Sequence, residues 1–283
     1  MPVASPPSAP LKPLAKCTRA NVLGVGVHAL DLPLAVEHLG TSVLEGRKGY
    51  VCVTGVHGVM EARRDAEFRR ILDRALLVVP DGMPTVWVGR LQGHRQMRRV
   101  FGPDLMLELC RRSVSEGFTH FLYGGRPGVA EDLRSNLSRL APGIRIVGMF
   151  TPPFRALVPQ EQTELEDAMG KVRPDIVWVG LNTPKQERFM AENIDRLACK
   201  VMIGVGAAFD FHTGRLKDSP DWVKEAGLQW LHRLRQEPSR LWKRYLTNNP
   251  SFLLQIALQL TGLRAYKLNQ ERRLEPATHD AGD

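Results

Sequence analysis

The sequence predicts an α/β fold, a mainly parallel sheet with helices on both faces, followed by a C-terminal helical appendage. Three observations predict it. Short apolar runs alternate with amphipathic helical stretches as far as Asp210. Those runs are nearly continuous in apolar residues, as strands buried on both faces are. Beyond Asp210 the strand signals stop and helical patterns broken by proline remain. Strands separated by helices read as parallel strands joined by helical crossovers.

Taken in order, residues 1–18 are proline-rich and are expected to be disordered. Residues 19–215 form the sheet domain. Its predicted strands lie at 22–27, 50–54, 76–79, 118–123, 144–148, 175–179 and 200–205. The predicted helices lie near 32–44, 59–74, 103–116, 127–140, 159–172 and 184–197. Several open on a proline (Pro103, Pro127, Pro159, Pro184), which is pre-organised for the first helical position. Residues 216–268 form the appendage, with a loop from Gly214 to Asp221 and helices at 222–235, 239–247 and 251–267, broken at Pro238 and Pro250. Residues 269–283 are expected to be a disordered tail. No internal repeat is visible.

The chain has 283 residues and a formal net charge of +9, with a pI near 9.7. Such a balance favours an anionic partner: a phosphate-bearing substrate, an acidic membrane surface or nucleic acid. The excess is concentrated in the appendage. From Trp230 to Arg273 there are nine Lys and Arg residues against Glu237 and Glu271. Four cysteines without C-x-x-C spacing fit a reducing compartment and offer no metal cluster. No signal peptide is apparent and no apolar run reaches membrane-spanning length, so a cytoplasmic protein, or one peripheral on the inner membrane face, is expected.

Ligands of open parallel sheets bind beyond the carboxyl ends of the strands. Those ends carry Thr54 with His57, Asp81 with Gly82, Gly124-Gly125-Arg126, the run from Asn182 to Glu187, and Asp210. In V-G-L-N-T-P-K-Q-E-R-F-M (179–190), a strand hands over to a helix opened by Pro184, with Lys185, Gln186 and Glu187 in its first turn. Free N–H groups there make a seat for an anion, and a plain strand–helix connection with a solvated first turn is the alternative. Asp81, in L-L-V-V-P-D-G-M-P, leaves an apolar strand. Two roles are open to it, a general base with a raised pKa or a helix cap. Thr54 and His57 have capping and packing alternatives too, and Asp210 an anchoring one.

There is no D-x-D pair, no zinc-like Cys/His spacing and no P-loop. The run 24–29 (G-V-G-V-H-A) mimics part of a dinucleotide fingerprint, but the next strand ends in Thr54 and supplies no acidic residue for a ribose. No cofactor or metal is therefore expected. A diphosphate held without metal needs fixed charge, and arginine grips phosphate bidentately. Arg233, Arg235, Arg240 and Arg244 are the candidates, Arg240 and Arg244 being four apart on one helical face. A solvated basic face is the alternative. The stretch 252–263, opened by Phe252 and closed by Leu263, carries a narrow polar stripe at Gln255 and Gln259. It rises about 18 Å, too short to span a bilayer but suited to an anionic interface. Packing on the domain or on a second subunit is the other reading.

Together these residues resemble the WecG/TagA/CpsF family of bacterial glycosyltransferases, from about Asn21 to Tyr245. The resemblance rests on T-G-V-H-G-V-M-E-A-R-R-D (54–65), P-D-G-M-P (80–84), F-G-P-D-L-M (101–106), F-L-Y-G-G-R-P-G (121–128) and P-P-F-R (152–155). The second half adds V-G-L-N-T-P-K-Q-E-R-F-M (179–190), G-V-G-A-A-F-D-F-H-T-G (204–214) and the run 227–245. It implies a Rossmann-like fold and an inverting, metal-independent transfer of a sugar from a UDP-sugar to a polyprenyl-diphosphate-linked glycan, in exopolysaccharide or cell-wall polymer synthesis. It places the general base at Asp81, a threonine of the site at Thr54, a polar corner at Gln186 and Glu187, and a diphosphate-binding region among the appendage arginines. N-acetylmannosamine, glucose and a hexuronic acid all fit as the sugar, and a homo-oligomer is left open. The chain departs from the family pattern at Val56-His57, at Asn182 and in D-S-P-D-W-V (218–223). The rival class, a basic nucleic-acid-binding α/β protein, is disfavoured: the basic excess is concentrated in the appendage and Asp81, Glu187 and Asp210 stand at the strand exits.

Overall fold

The structure is a computed structural model that describes residues 17–269. The start of the chain up to residue 16 and the tail from residue 270, where most of the expected disorder falls, lie outside those residues. Six strands form the sheet: β3 (Gly49–Thr54), β4 (Leu77–Pro80), β5 (Thr119–Gly124), β6 (Arg145–Phe150), β7 (Ile176–Gly180) and β8 (Val201–Gly204). Their order is β4-β3-β8-β7-β5-β6, and every neighbouring pair is parallel. The predicted α/β architecture is the one observed.

Strand alternation divides the core in two. Val177 and Val179 of β7 face one apolar cluster and Ile176 and Trp178 the other. The first cluster is completed by α2 (Val56–Arg64), α3 (Ala66–Arg74), α4 (Met83–Leu91), α7 (Pro159–Val172) and α8 (Lys185–Asn193). The second is completed by α1 (Leu32–Leu44), α5 (Gly102–Glu116), α6 (Val129–Leu140) and α9 (Ala208–His212). Burial on both faces is why the strands read as unbroken apolar runs.

Three local expectations need correction. The predicted strand 22–27 is a hairpin of β1 (Arg19–Val22) and β2 (Val25–His28), paired antiparallel. The chain reverses at Leu23 (φ 54°) and Gly24 (φ 85°), a two-residue loop with both φ positive. The apparent dinucleotide fingerprint is therefore part of a hairpin, not a strand–helix turn. The predicted helix 59–74 is split at Asp65, whose carboxylate leaves the first segment to cap the second by accepting from the N–H groups of Glu67 and Phe68.

The third correction concerns the appendage. The predicted helix 222–235 is two pieces, α10 (Asp221–Glu225) and α11 (Gln229–Gln236), parted at Gly227 with φ 69°. The break at Pro238 is observed, but Pro250 breaks nothing: α12 runs from Pro238 to Leu260 as one helix. An internal proline costs about 3 kcal/mol. Leu241 and Asn248 before it, and Phe252 and Ile256 after it, are buried on one face of α12, so both halves are held to the domain in a single line.

Two histidines in this core titrate far from their ordinary range. His120 accepts a hydrogen bond at Nδ1 from Trp178 Nε1 (3.0 Å), and burial pushes its pKa down to about 4. Burial, reinforced by Arg19, pushes His28 down to about 3. Both are neutral in the folded chain. Below pH about 6.5 the unfolded chain takes up protons that the folded chain refuses, so their stabilisation is complete above that pH and is lost as pH falls toward the folded values. Each contributes a slope of about 1.4 kcal/mol per pH unit. Denaturant unfolding between pH 7 and 5 should show this acid loss, and His120→Asn should reduce the slope by about one histidine's share; an unchanged slope would refute it.

Candidate active site

The exits of β4, β3, β8 and β7, four adjacent strands, open into a cavity of about 420 Å³ that α10, α11 and α12 close from above. Asp81, Gly82 and Met83 come from the β4 exit and His57 from the β3 exit. Asn182, Thr183 and Gln186 come from the β7 exit and Gly206 to Ala208 from the β8 exit. The appendage supplies Lys224, Gln229, Trp230, Arg233, Arg240, Arg244, Tyr245 and Asn248. Ligand binding beyond the carboxyl ends is the expected geometry for such a sheet.

Asp81 is fixed through its backbone. Its N–H donates to the Thr54 carbonyl (3.1 Å), and its carbonyl accepts from Arg99 Nε (2.7 Å). Its carboxyl Oδ1 is sealed from solvent without a hydrogen-bond partner. Burial raises its pKa, against the pull of Arg99, the Gly102 amide and Arg233. The result is a carboxylate poised to accept a proton beside guanidinium groups.

Those guanidinium groups crowd one wall. Arg233 lies over the Phe211 ring (5.5 Å) and Arg244 over Tyr245 (5.3 Å). The Nε atoms of both are buried without a partner. Arg240 is pushed below its ordinary pKa by burial, with Arg233 and Arg244 adding repulsion and Glu237 and Asp210 opposing it. Three cations are drawn together here, two of them with a buried Nε unfilled, and such a group can receive an anion carrying several oxygens.

The other predicted residues are placed differently. Thr54 is buried outside the lining, its hydroxyl donating to the Cys52 carbonyl (3.4 Å); it meets Asp81 through its backbone only. Gly124 and Gly125 are also outside. A Cβ on Gly124 would stand 2.6 Å from the Gly180 carbonyl oxygen, so that glycine serves the close approach of β5 to β7. Pro184, Lys185, Glu187, Asp210 and Arg235 do not line the cavity. Instead of a solvated first turn, α8 turns Gln186 and Glu187 inward. Glu187 Oε1 accepts from the Thr183 hydroxyl (2.8 Å) and Gln186 Nε2 (3.0 Å), while Gln186 Oε1 accepts from the Gly206 N–H (3.0 Å). This ties the β7 exit to the β8 exit. The Gln186 N–H already donates to the Asn182 carbonyl (3.1 Å), which fills part of the expected anion seat. Burial raises the Glu187 pKa, opposed by these same bonds.

His57 links the cavity to the appendage. Its Nε2 lies 3.4 Å from the Thr183 carbonyl and its Nδ1 3.1 Å from Asn248 Nδ2. Asn248 Oδ1 in turn accepts from Arg64 (2.6 Å). Burial, with Arg244 and Arg64 adding repulsion, brings the His57 pKa down to about 4, against the bond to Thr183. The ring is neutral, donating from Nε2 and accepting at Nδ1.

Sequence reasoning missed Arg99, Lys224, Gln229 and Asn248. Arg99 stacks on Phe101 (4.2 Å) and hydrogen-bonds Gln229 of α11, joining the backbone of Asp81 to the appendage. Lys224 is held by Asp218 (2.6 Å) and Asp221 (3.1 Å). Both cations sit in polar stretches whose spacing sets no single residue apart.

Fold and cavity thus define an α/β protein whose site sets one desolvated carboxylate beside a wall of guanidinium groups. Residues 20–266 match the glycosyl transferase WecG/TagA/CpsF family; the chain belongs to that family and is a glycosyltransferase. It is 30% identical over 218 residues, 77% of this chain and 82% of the relative, to the N-acetylglucosaminyldiphosphoundecaprenol N-acetyl-beta-D-mannosaminyltransferase of Bacillus spizizenii. The Bacillus subtilis (strain 168) protein of the same name is 31% identical over 186 residues, 66% of this chain and 70% of that one.

Asn248→Ala should leave the sheet intact but loosen α12, because Arg64 and His57 each lose the partner that ties them to that helix. The expected cost is about 1–3 kcal/mol. Hydrogen exchange should accelerate across α12 and stay unchanged in β3, β7 and β8; uniform exchange in both regions would contradict the linkage.

Proposed function

We propose that the protein transfers a sugar from a UDP-sugar to a polyprenyl-diphosphate-linked glycan, with inversion at the anomeric carbon. The relatives' names favour an N-acetylmannosaminyl donor and an N-acetylglucosaminyl-diphosphate-lipid acceptor among the sugars the family resemblance leaves open. The observation that carries the reading is the pairing in one cavity of Asp81 with Arg233, Arg240 and Arg244, two of which keep buried Nε donors unfilled.

In this reading Asp81 takes the proton of the acceptor hydroxyl as that oxygen attacks the anomeric carbon. The bond to the UDP oxygen breaks on the opposite face. Negative charge grows on the leaving diphosphate, where preset guanidinium groups stabilise it without reorganising. A single displacement on an α-linked donor yields a β-linkage, the one in the relatives' names. Trp87 of α4, Trp230 and Tyr245 line the same cavity and offer faces for sugar rings.

The lipid substrate is reached at the membrane surface in this reading, through α12. Its polar residues Gln255 and Gln259 do not form an outer stripe. Gln259 accepts from the Leu23 N–H (2.9 Å) and donates to the Asn21 carbonyl (2.7 Å), and Gln255 accepts from Arg63 (3.4 Å). Trp242, Leu246, Leu253 and Leu260, four or seven residues apart, are left exposed on one side of the helix. Lys243 and Arg264 supply positive charge beside them for an anionic interface. Among the described residues no helix is long and apolar enough to cross a membrane.

Two outcomes are expected. Asp81→Asn should fold normally, bind UDP and lose about 10²–10⁴-fold in acceptor-dependent UDP release; near-wild-type turnover would remove Asp81 from the chemistry. Leu246→Glu with Leu260→Glu should weaken partition onto anionic liposomes at least about tenfold, since two exposed leucines no longer enter the interface, with UDP binding unchanged. Undiminished partition would exclude this face as the anchor.

A further inference from the structure

Glu237 is a carboxylate that the reaction above does not use. It stands where α11 ends and α12 begins, as the flanking residue of both helices. Its Oε2 accepts from Arg233 Nη2 (2.8 Å) and Arg240 Nη2 (3.1 Å), and its Oε1 lies 2.9 Å from Arg240 Nη1. One carboxylate thus bridges two of the three arginines in the cavity wall. Glu237 itself does not line the cavity, so it holds them from behind. The Nε atoms of Arg233 and Arg244 remain without a partner.

We propose that Glu237 is a built-in counter-anion that presets Arg233 and Arg240 for the donor's diphosphate and weakens the grip on the UDP product. The inference rests on the UDP-sugar reading above. A diphosphate entering the cavity shares two of its guanidinium groups with a carboxylate already in place. The like charges repel through a partly desolvated medium, where the interaction is stronger than in water. Without Glu237, three guanidinium groups would hold UDP at full strength after every transfer. With it, the arginines are ordered before the donor arrives and release the product more readily. Loss of this ordering is the smaller effect, because Arg233 keeps its place against Phe211 and Arg240 is carried on the docked helix α12. Glu237 is therefore a positioning residue that tunes affinity, and it touches no reacting atom.

The test is calorimetric binding of UDP and of inorganic pyrophosphate to the full chain, with steady-state kinetics alongside. Wild-type protein should bind both. Glu237→Gln keeps the size and an acceptor oxygen but removes the charge. It should bind UDP about tenfold more tightly, with a steeper salt dependence and with kcat and donor KM falling together as release slows. Glu237→Asp draws the charge back from the arginines and should tighten binding by a smaller factor, about threefold. UDP binding unchanged or weakened in both variants, with wild-type binding intact, overturns the inference alone. Failure of the wild-type protein to bind either UDP or pyrophosphate overturns the UDP-sugar reading and this inference with it.

Discussion

The site depends on one docking event, the seating of α12 across the strand exits. Asn248 lies at its centre, between Arg64 and His57, while Phe252 and Ile256 enter the core that α2, α3 and the hairpin share. Farther along, Gln259 grips the backbone of the hairpin turn. Without this seating Arg240 and Arg244 would have no fixed relation to Asp81. The apolar contacts supply most of the attraction, and the buried amide bonds set the register, because a slipped helix would leave Asn248, His57 and Arg64 unsatisfied.

The electrostatics follow from that geometry. The same closure that seals Asp81 Oδ1 and raises the pKa of the group gathers Arg233, Arg240 and Arg244 in one cavity with it. In the proposed mechanism a general base and a leaving-group clamp need opposite charges in one small volume, where burial strengthens their interactions. Arg99 is the joint between them. It holds the Asp81 carbonyl with Nε and reaches Gln229 of α11 with its other end, so Asp81 and the appendage are aligned through one side chain.

The outward face of α12 answers a different demand. Its glutamines bond the hairpin and Arg63, while Trp242, Leu246, Leu253 and Leu260 are left exposed, the reverse of a helix that merely covers a core. One helix thereby closes the cavity and also presents exposed apolar side chains, with Leu253 at the border of the two. That division suits the proposed lipid-linked acceptor, with its charged head and long apolar tail.

The sequence by itself determined the architecture. Runs such as 176–179 and 201–205 carry no polar side chain, so they read as strands covered on both faces, and proline-opened helical patterns between them read as parallel crossovers. It also marked Asp81, His57, Asn182, Gln186 and the arginine-rich tail, because strand exits are set by local pattern. Where the strands end, however, does not say which exits converge. Only the strand order, with β5 displaced from β3 by β8 and β7, separates Gly124 and Gly125 from the cavity. The turning inward of Gln186 and Glu187 likewise depends on Gly206, which follows a strand distant in sequence. Arg99 carried no local signal, since its hydrogen-bond partners lie 18 residues away or more. Pro250 gave a false signal. Its local penalty is real, but four buried residues spread across α12 outweigh it, and a sum over long-range contacts is something only the tertiary structure decides.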